Sequence, residues 1–424
     1  MSADSQEPTE SFLEGVRRTA VFNFAGTGVS AVTGVLLARW LGPSGRGDYA
    51  AVTSFFIVAL LVSTLGIESA VVYYVSRDHA SRGNYVRTAT VTLLPLFFVA
   101  SIVSVAIGRT LGTSDSRLAA FAVLPLSFGA SMAMTPALFA LQALNLRWWS
   151  VVRFAQPVAF FGGVILIRLL TSLTAPLVIL IMGGSLILQA GFAWLVYRRY
   201  RSPSSHFDSQ LVRPMLRFGI LNMWSTAPQA LNSRVDQVVL AGMVSSPALG
   251  QYAVAVSLSV IAAPLVVAFG YVAFPRLAGG RDALETIRTA LRGSWILSTA
   301  CVAAVTLAGP LIVPRLFGRG YELVPELILV LAPGAVVMVL NQVLVDLLRG
   351  LGKPGIAGVC QWVGVPVLFG GLALAVPLVG VIGAAATSSI VYLLVYVLLR
   401  HAVSREVAEL TKEAAAHSPT ESGS

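Results

Sequence analysis

Residues 175–197 read APLVILIMGGSLILQAGFAWLVY, a run of 23 residues without Asp, Glu, Lys or Arg. At about 1.5 Å per residue, a helix of that length crosses the roughly 30 Å hydrocarbon core of a bilayer. Similar runs recur along the 424 residues, which are 56% hydrophobic and 11% charged, whereas soluble domains carry about 25% charged residues. The sequence therefore predicts an all-α polytopic membrane protein. The composition argues against nucleic-acid binding and against a large water-soluble catalytic domain.

Twelve transmembrane spans are predicted from these runs. They lie at residues 19–40, 49–73, 88–107, 118–142, 152–170, 175–197, 216–240, 249–275, 293–313, 323–347, 355–376 and 379–399. The longest connection, residues 198–215, is rich in Arg, Ser and Pro and is predicted to be a cytoplasmic linker. The predicted organisation is a tail at 1–18, an N-terminal lobe at 19–197, this linker, a C-terminal lobe at 216–399 and a tail at 400–424.

The distribution of basic residues predicts the orientation. The segments that share a side with the termini hold 21 of the 29 Lys and Arg residues. The opposite side holds seven: Arg39, Arg46, Arg109, Arg117, Arg168, Arg315 and Arg319. Cytoplasmic loops carry the excess of positive charge, so both termini are expected in the cytoplasm.

An internal repeat indicates that the two lobes arose by duplication. Gly47-Asp48-Tyr49-Ala50 begins span 2, and Gly250-Gln251-Tyr252-Ala253 begins span 8. Two Arg/Asn pairs at the start of spans 1 and 7 have a similar offset: Arg18 with Asn23, and Arg217 with Asn222. Because each half has six spans, the repeats are expected to be parallel, with a cavity between them.

Several of these motifs resemble those of the polysaccharide-exporting flippases, the O-antigen and repeat-unit translocases. Arg39-Trp40-Leu41-Gly42-Pro43 with the Gly-Asp-Tyr-Ala motif is similar to the family's first hairpin. Arg234-Val235-Asp236-Gln237 with the Gly-Gln-Tyr-Ala motif resembles its second-half signature. Leu348-Arg349-Gly350-Leu351-Gly352-Lys353, followed by Gly380-Val381-Ile382-Gly383-Ala384-Ala385, is similar to its C-terminal region.

The resemblance implies two six-helix lobes around a central cavity, as in the related multidrug and toxin extrusion proteins and lipid II flippases. Twelve spans, against the fourteen usual for the lipid II branch, argue against that branch. The implied substrate is an undecaprenyl-diphosphate-linked oligosaccharide in a bacterial cytoplasmic (inner) membrane. A polysaccharide polymerase and glycosyltransferases are the implied pathway partners.

Span 7 carries a polar stripe within an arc of about 140°. Its members are Asn222, Ser225, Thr226, Gln229, Asn232, Ser233, Asp236 and Gln237. Unpaired polar groups are costly in lipid, so the stripe either lines a hydrated substrate cavity or joins neighbouring helices by hydrogen bonds. Span 1 carries a thinner version with Asn23, Thr27 and Ser30, which fits either a cavity wall or small-residue packing.

The arginines nearest the predicted cavity are diphosphate candidates, because guanidinium groups bind phosphate bidentately and stay charged. They are Arg18, Arg39, Arg217 and Arg234. The alternative for each is snorkelling to the interface, or, for Arg234, an ion pair with a neighbouring helix.

Two spans carry carboxylates. Glu68 in span 2 is a candidate for proton or cation coupling, and its alternative is a pair with Arg77 or Arg82. Asp346 and Arg349 are predicted to form a local i,i+3 ion pair.

Other function classes lack their motifs. No phosphate-binding P-loop, G-x-S-x-G or H-E-x-x-H pattern occurs, and no His or Cys cluster has metal-ligand spacing. No cofactor or metal, and no enzymatic activity, is therefore expected. The sequence favours a secondary flippase that works by alternating access. The alternative is a cation-coupled drug or metabolite antiporter, which needs buried carboxylates; only Glu68, Asp236 and Asp346 offer them.

Overall fold

The computed structural model describes residues 12–112, 114–200, 205–261, 263–278 and 283–416. Within these residues the fold consists of twelve α-helices and one 3₁₀ turn at Arg198–Tyr200. The helices are α1 Phe12–Ser63, α2 Ile67–Arg77, α3 Arg82–Leu111, α4 Asp115–Leu144, α5 Leu146–Leu170, α6 Ala175–Tyr197, α7 Ser209–Met243, α8 Ser246–Ser259, α9 Ala263–Ala278, α10 Ala283–Phe317, α11 Val324–Gly350 and α12 Pro354–Ala416. The predicted all-α fold class is confirmed.

The predicted spans map onto these helices. Eight of the described helices are long and apolar enough to cross a membrane, and the bent pair α8 and α9 makes a ninth. Two of the eight, α1 and α12, hold two predicted spans each, and α7 accounts for span 7 but is too polar to meet the hydropathy criterion. Each of the twelve predicted spans therefore corresponds to helix, and the chain is a multi-pass membrane protein.

Glycines divide the two longest helices, one of them in a predicted loop and the other one residue inside predicted span 379–399. Gly42 (φ 67°) interrupts α1 and Gly380 (φ 62°) interrupts α12. A positive φ of this size favours glycine, because glycine has no Cβ. Pro43, directly after the first break, fits the first turn of a new helix, where its missing N–H leaves no hydrogen bond unmade. Predicted span 2 is interrupted as well, because α1 ends at Ser63 and α2 begins at Ile67.

The chain packs as two compact units. Unit 1 comprises residues 1–41 and 55–223, and unit 2 comprises residues 42–54 and 224–424. These units differ from the predicted lobes, 19–197 and 216–399, because residues 42–54 pack in unit 2 and the first half of α7 packs in unit 1. The predicted lobe boundaries stay a prediction.

Unit 1 is organised around α4, which packs against α2, α3, α5 and α6. Aromatic side chains of α1 complete this core: Phe55 meets Phe121 at a ring distance of 5.5 Å, and Phe56 meets Phe128 at 5.0 Å. Small residues permit close approach; Gly183 on α6, for example, lies directly against Ser127 on α4. Small residues at helix interfaces are typical of membrane helix packing.

Unit 2 is organised around α11, which packs against α8, α9, α10 and α12. Its interior contains buried carboxylates and amides as well as apolar side chains. The larger buried polar residues are Asp48, Asn232, Asp236, Gln237, Gln251, Asn341, Asp346 and Gln361.

The two repeat motifs pack against each other within unit 2. A methyl group on Gly47 would overlap the carbonyl oxygen of Ser246, and one on Gly250 would overlap that of Pro43. Each added Cβ would also lie 3.0 Å from the amide nitrogen of the other glycine. Ser246 and Pro43 each precede the glycine of their own motif by four residues, so the contact is nearly symmetric between the repeats. This explains physically why glycine occupies both positions.

Candidate functional site

The second half of α7 lines a pocket inside unit 2. The pocket has a volume of about 300 Å³. It is lined by Thr226, Gln229, Ala230, Asn232, Ser233, Met338, Asn341, Gln342, Gln361, Tyr392 and Val395. Five of these residues are Asn or Gln, and none carries a charge. Each amide offers both donors and acceptors, so the pocket suits a neutral ligand rich in hydroxyl groups.

Hydrogen bonds between helices hold the amide groups in place. Gln229 Nε2 donates to Gln342 Oε1 on α11. Asn232 Nδ2 donates to the Gln361 carbonyl oxygen on α12 at 3.1 Å, and Tyr392 Oη donates to the Asn232 carbonyl oxygen at 2.9 Å. Asn232 Oδ1 and Asn341 Oδ1 are buried without a hydrogen-bond partner in the described protein. Buried acceptors of this kind call for an explanation, and a water or ligand hydroxyl would satisfy them.

Asp236 follows the pocket residue Ser233 by about one helical turn on α7 and is surrounded by donors. It accepts from Tyr252 Oη at 2.6 Å, from the Gln237 backbone N–H at 2.7 Å and from Ser388 Oγ at 3.4 Å. The Gln237 N–H binds Oδ1, and Tyr252 and Ser388 both bind Oδ2, so both carboxyl oxygens of Asp236 are engaged by the protein. The arrangement links α7 to α8 and α12, and Gln237 extends it by accepting from Ser54 Oγ at 2.9 Å.

The predicted stripe is therefore divided. Thr226, Gln229 and Ser233 line the pocket, and Asp236 belongs to the buried network. Asn222 lies in unit 1, where its Nδ2 donates to Ser69 Oγ at 2.7 Å. The same side chains join helices and border the pocket, and their contact with substrate stays a prediction.

The predicted residues of span 1 lie in unit 1 and are exposed. Thr27 Oγ1 donates to the Asn23 carbonyl oxygen at 2.8 Å, within the same helix. Neither residue belongs to the pocket of unit 2, and their contact with substrate stays a prediction.

Of the three predicted diphosphate candidates whose side chains the structure describes, Arg234 alone lies near the pocket. Arg39 and Arg217 are exposed in unit 1, and the side chain of Arg18 lies outside the described residues. Arg234 is half-buried and lies within electrostatic range of Asp236, Tyr392 and Arg46.

The carboxylates outside the stripe have different surroundings. Asp346 Oδ1 lies 3.6 Å from Arg349 Nη1, so the predicted local ion pair is confirmed. Glu68 forms no ion pair with Arg77 or Arg82; Thr64 is its side-chain neighbour, and its Oε2 is buried without a hydrogen-bond partner. Its coupling role stays a prediction. Within the described ranges, no group of three His, Cys, Asp or Glu side chains could hold a metal ion.

Sequence reasoning missed the part of the pocket that α11 and α12 contribute. Asn341, Gln342 and Gln361 are polar residues inside strongly apolar spans. The same criterion that singled out the stripe of span 7 could therefore have singled them out. Arg46, Tyr252 and Tyr392 were missed because their significance depends on neighbours far away in the sequence.

Solved structures define the class to which this fold belongs. The lipid II flippase MurJ, in an inward closed conformation, aligns over 91% of this chain and 87% of its own length, with a TM-score of 0.78 and 13% identity. An inward-facing multidrug resistance MATE family transporter of the MOP superfamily aligns over 93% and 96%, with a TM-score of 0.71 and 12% identity. An outward-facing MATE transporter aligns over 94% and 96%, with a TM-score of 0.64 and 15% identity. The chain has the fold of these membrane transporters.

Sequence comparison gives the family. A profile described as "Polysaccharide biosynthesis protein" matches residues 12–280, so the chain belongs to the polysaccharide biosynthesis protein family. No curated protein matches the sequence significantly. The resemblance drawn from the motifs is thereby confirmed.

Proposed function

We propose that this protein is a secondary flippase that moves an undecaprenyl-diphosphate-linked oligosaccharide across the bacterial cytoplasmic membrane for cell-surface polysaccharide synthesis. It would work by alternating access, with both termini cytoplasmic, and it would not alter its substrate chemically. The membership in the polysaccharide biosynthesis family supports the substrate class. The name of the MurJ neighbour, a lipid II flippase, is consistent with a lipid-linked substrate.

The amide-rich pocket of unit 2 carries the proposal. A glycan is neutral and dense in hydroxyl groups, and Asn and Gln side chains match both its donors and its acceptors. An antiporter for cationic drugs requires carboxylates where the cation binds, but the described lining contains none. Asp236 lies nearby and is occupied by three donors.

The driving force follows from the substrate's charge. A diphosphate head that moves outward carries negative charge in the direction favoured by an inside-negative potential, at about 2.3 kcal/mol per charge per 100 mV. No nucleotide is needed for this step. A glycosyltransferase that supplies the lipid-linked glycan and a polymerase that consumes it would be the pathway partners.

The proposal is tested by transport in proteoliposomes. Purified protein is reconstituted with a fluorescent polyprenyl-diphosphate oligosaccharide, and outward movement is scored by accessibility to an external glycosidase. Gln229→Ala is expected to slow flipping at least tenfold, because it removes an amide from the pocket. Gln189→Ala is the matched control, since Gln189 is buried in unit 1 and bonds the Val152 carbonyl oxygen at 3.0 Å; it should flip at more than half the wild-type rate.

The antiporter is the second candidate, because the MATE transporters share the fold and because Asp346 Oδ2 is buried without a hydrogen-bond partner. If wild-type vesicles leave the lipid in place but exchange a small organic cation for protons or sodium, the antiporter replaces the flippase.

A further inference from the structure

The nitrogen and oxygen atoms of the pocket's asparagine side chains are used differently. Asn232 Nδ2 donates to the Gln361 carbonyl oxygen, and Asn341 Nδ2 donates to the Tyr392 carbonyl oxygen, each at 3.1 Å. Asn232 Oδ1 and Asn341 Oδ1 are buried and have no hydrogen-bond partner in the described protein. A carbonyl oxygen can only accept, so these bonds determine which end of each amide is the nitrogen. The two unpartnered atoms are therefore acceptors.

The packing leaves these two amides little freedom to turn. Asn232 is 5% exposed and Asn341 is 7% exposed. A Cβ on Gly364 of α12 would lie 3.1 Å from Asn232 Nδ2, so the amide nitrogen lies close to the backbone of α12. A turned amide would place its oxygen against a carbonyl oxygen, where two acceptors repel each other. The observed orientation is thus the one that the surrounding helices permit.

A chain of three side chains fixes the glutamine amides in the same sense. Gln229 Nε2 donates to Gln342 Oε1, and Gln342 Nε2 donates to Asp346 Oδ1 at 3.4 Å. A carboxylate only accepts, so the nitrogen of Gln342 faces Asp346 and its oxygen faces Gln229. Asp346 is itself held in place: Arg349 Nη1 lies 3.6 Å from its Oδ1, and a Cβ on Gly270 would lie 2.5 Å from its Oδ2. Both glutamine nitrogens are thereby engaged within the protein.

Two hydroxyl groups of the lining are also engaged as donors. Ser233 Oγ donates to the Ala230 carbonyl oxygen, and Tyr392 Oη donates to the Asn232 carbonyl oxygen, each at 2.9 Å. A hydroxyl group has one hydrogen, so each of these oxygens can only accept from a ligand. Gln361 is the exception, because it joins the network through its backbone carbonyl and its side-chain amide is not engaged by it. The lining thus offers a ligand mainly acceptors.

We propose that this pocket selects a neutral sugar unit by its hydroxyl hydrogens and discriminates against a unit that carries a carboxylate. A sugar hydroxyl can donate to Asn232 Oδ1 or Asn341 Oδ1, whereas a group without a hydrogen leaves these buried acceptors unpaired. A carboxylate also brings negative charge against them. The volume of about 300 Å³ suits one sugar unit at a time, because ligand pockets span about 300–1,000 Å³. In taking the ligand to be part of the transported glycan, the inference rests on the proposed function.

The selection is measured by saturation-transfer difference NMR titrations on the full chain in phosphatidylcholine nanodiscs. The probes are the methyl glycosides of glucose, galactose and mannose. Each is compared with its deoxyfluoro derivatives, in which fluorine cannot donate a hydrogen bond, and with its uronate, which carries a carboxylate. The best neutral glycoside should bind about fivefold more tightly than either analogue, as expected for one net hydrogen bond. Equal binding of all three classes, or no binding of any neutral glycoside, would overturn the inference.

Asn341→Leu tests the acceptor directly. It removes the unpartnered oxygen, and the Tyr392 carbonyl can keep its bond within α12. Neutral glycosides should bind about fivefold more weakly, and the unfolding midpoint without ligand should be unchanged or higher, because a buried unpaired oxygen is lost. Gln189→Leu is the matched control, since it removes a buried amide of unit 1 that also bonds a backbone carbonyl; its glycoside binding should stay within twofold of wild type. A lower midpoint with unchanged selectivity in Asn341→Leu would make Asn341 a structural residue and contradict the inference.

Asp346→Asn tests the orientation of the glutamines. The new amide can donate to Gln342 Oε1, so Gln342 can turn, donate to Gln229 Oε1 and leave the Gln229 nitrogen as a donor for a ligand. The preference for neutral glycosides over uronates should then fall about threefold, whereas a purely structural role of Asp346 would weaken all probes equally. Asp48→Asn is the matched control, because Asp48 is a buried acid of unit 2 outside the pocket, bonded by Ser246 Oγ at 2.7 Å. An unchanged preference in Asp346→Asn would overturn the role given to Asp346.

The outcomes separate this inference from the proposed function. If wild type flips the lipid-linked glycan but binds neutral glycosides and uronates equally, the function stands and the selection fails. If wild type flips nothing but selects neutral glycosides through Asn341, the sugar pocket stands and the flippase fails. Piperidinium, a ring-sized cation with N–H donors, is a further probe. If it binds more tightly than every glycoside, the acceptors serve a cation, and the antiporter replaces both proposals.

Discussion

The interiors of the two units differ although each is built around one central helix. In unit 1, around α4, most buried hydroxyl groups bond a carbonyl of their own helix, as Thr135 bonds Ser131 at 2.9 Å. In unit 2, around α11, most buried amide and carboxyl groups bond other helices, as Asn341 Nδ2 bonds the Tyr392 carbonyl oxygen at 3.1 Å; in unit 1 the buried amide of Gln189 does the same. Buried carboxylates occur in the described part of unit 2 but not among the fully buried residues of unit 1.

The difference indicates that buried polar groups have different roles in the two units. A hydroxyl that bonds its own helix is satisfied wherever that helix moves. A cross-helix amide bond is satisfied in one arrangement only, so it specifies how helices pack and leaves polar atoms where a ligand can reach them. Unit 1 is thus expected to tolerate polar-to-apolar changes that unit 2 does not.

The largest effect is expected where the repeats touch. Gly47→Ala would place a methyl group on the Ser246 carbonyl, and backbone cannot yield as a side chain can. We expect a loss of about 3 kcal/mol or more of stability, seen as aggregation in size-exclusion chromatography. Gly184→Ala in unit 1, where a Cβ meets nothing within 4 Å, should behave as wild type. A stable Gly47→Ala protein would contradict the close contact.

The next effect concerns the buried acid. Asp236→Ala leaves Tyr252 Oη and Ser388 Oγ without the carboxyl oxygen that they share, which should cost about 2–3 kcal/mol and abolish flipping. Thermal unfolding in detergent measures the loss of stability, and the glycosidase assay measures flipping. Thr135→Val is the counterpart in unit 1, because it removes a hydroxyl that serves its own helix, and it should cost less than about 1 kcal/mol. Equal losses of stability in Asp236→Ala and Thr135→Val would contradict the proposed difference between the two interiors.

A smaller effect is expected for the energetic coupling between two hydrogen-bonded side chains, compared between the two units. A double-mutant cycle on Gln229→Ala and Gln342→Ala should give a coupling energy of about 1 kcal/mol, measured by unfolding. The corresponding pair in unit 1, Gln156 and Ser185, is joined by a hydrogen bond of 3.3 Å, near the upper distance limit, and its coupling should be about half as large. Additivity of the unit 2 pair would show that the amides do not act together.

The hydrophobic pattern predicted the fold well because lipid forces every span to be helical. It singled out Thr226, Gln229 and Ser233, which line the pocket, because polar residues inside an apolar span need a polar partner or water. Their contact with substrate stays a prediction. The pattern could not predict that Asn222 serves unit 1, since one helix passes between two units at Met223 and Trp224.

The smallest effect tests whether unit 1 takes part in transport at all. Asn23 and Thr27 are both exposed on α1, yet the Thr27 hydroxyl is satisfied within its helix whereas the Asn23 amide has no hydrogen bond from its side chain among the described contacts. An amide on an apolar helix is stable only against water or a polar ligand. Asn23→Leu should therefore leave the unfolding midpoint unchanged and slow flipping about threefold, which corresponds to about 0.7 kcal/mol, while Thr27→Val changes neither. If Asn23→Leu flips at the wild-type rate, span 1 serves packing alone, and the chemistry of transport is confined to unit 2.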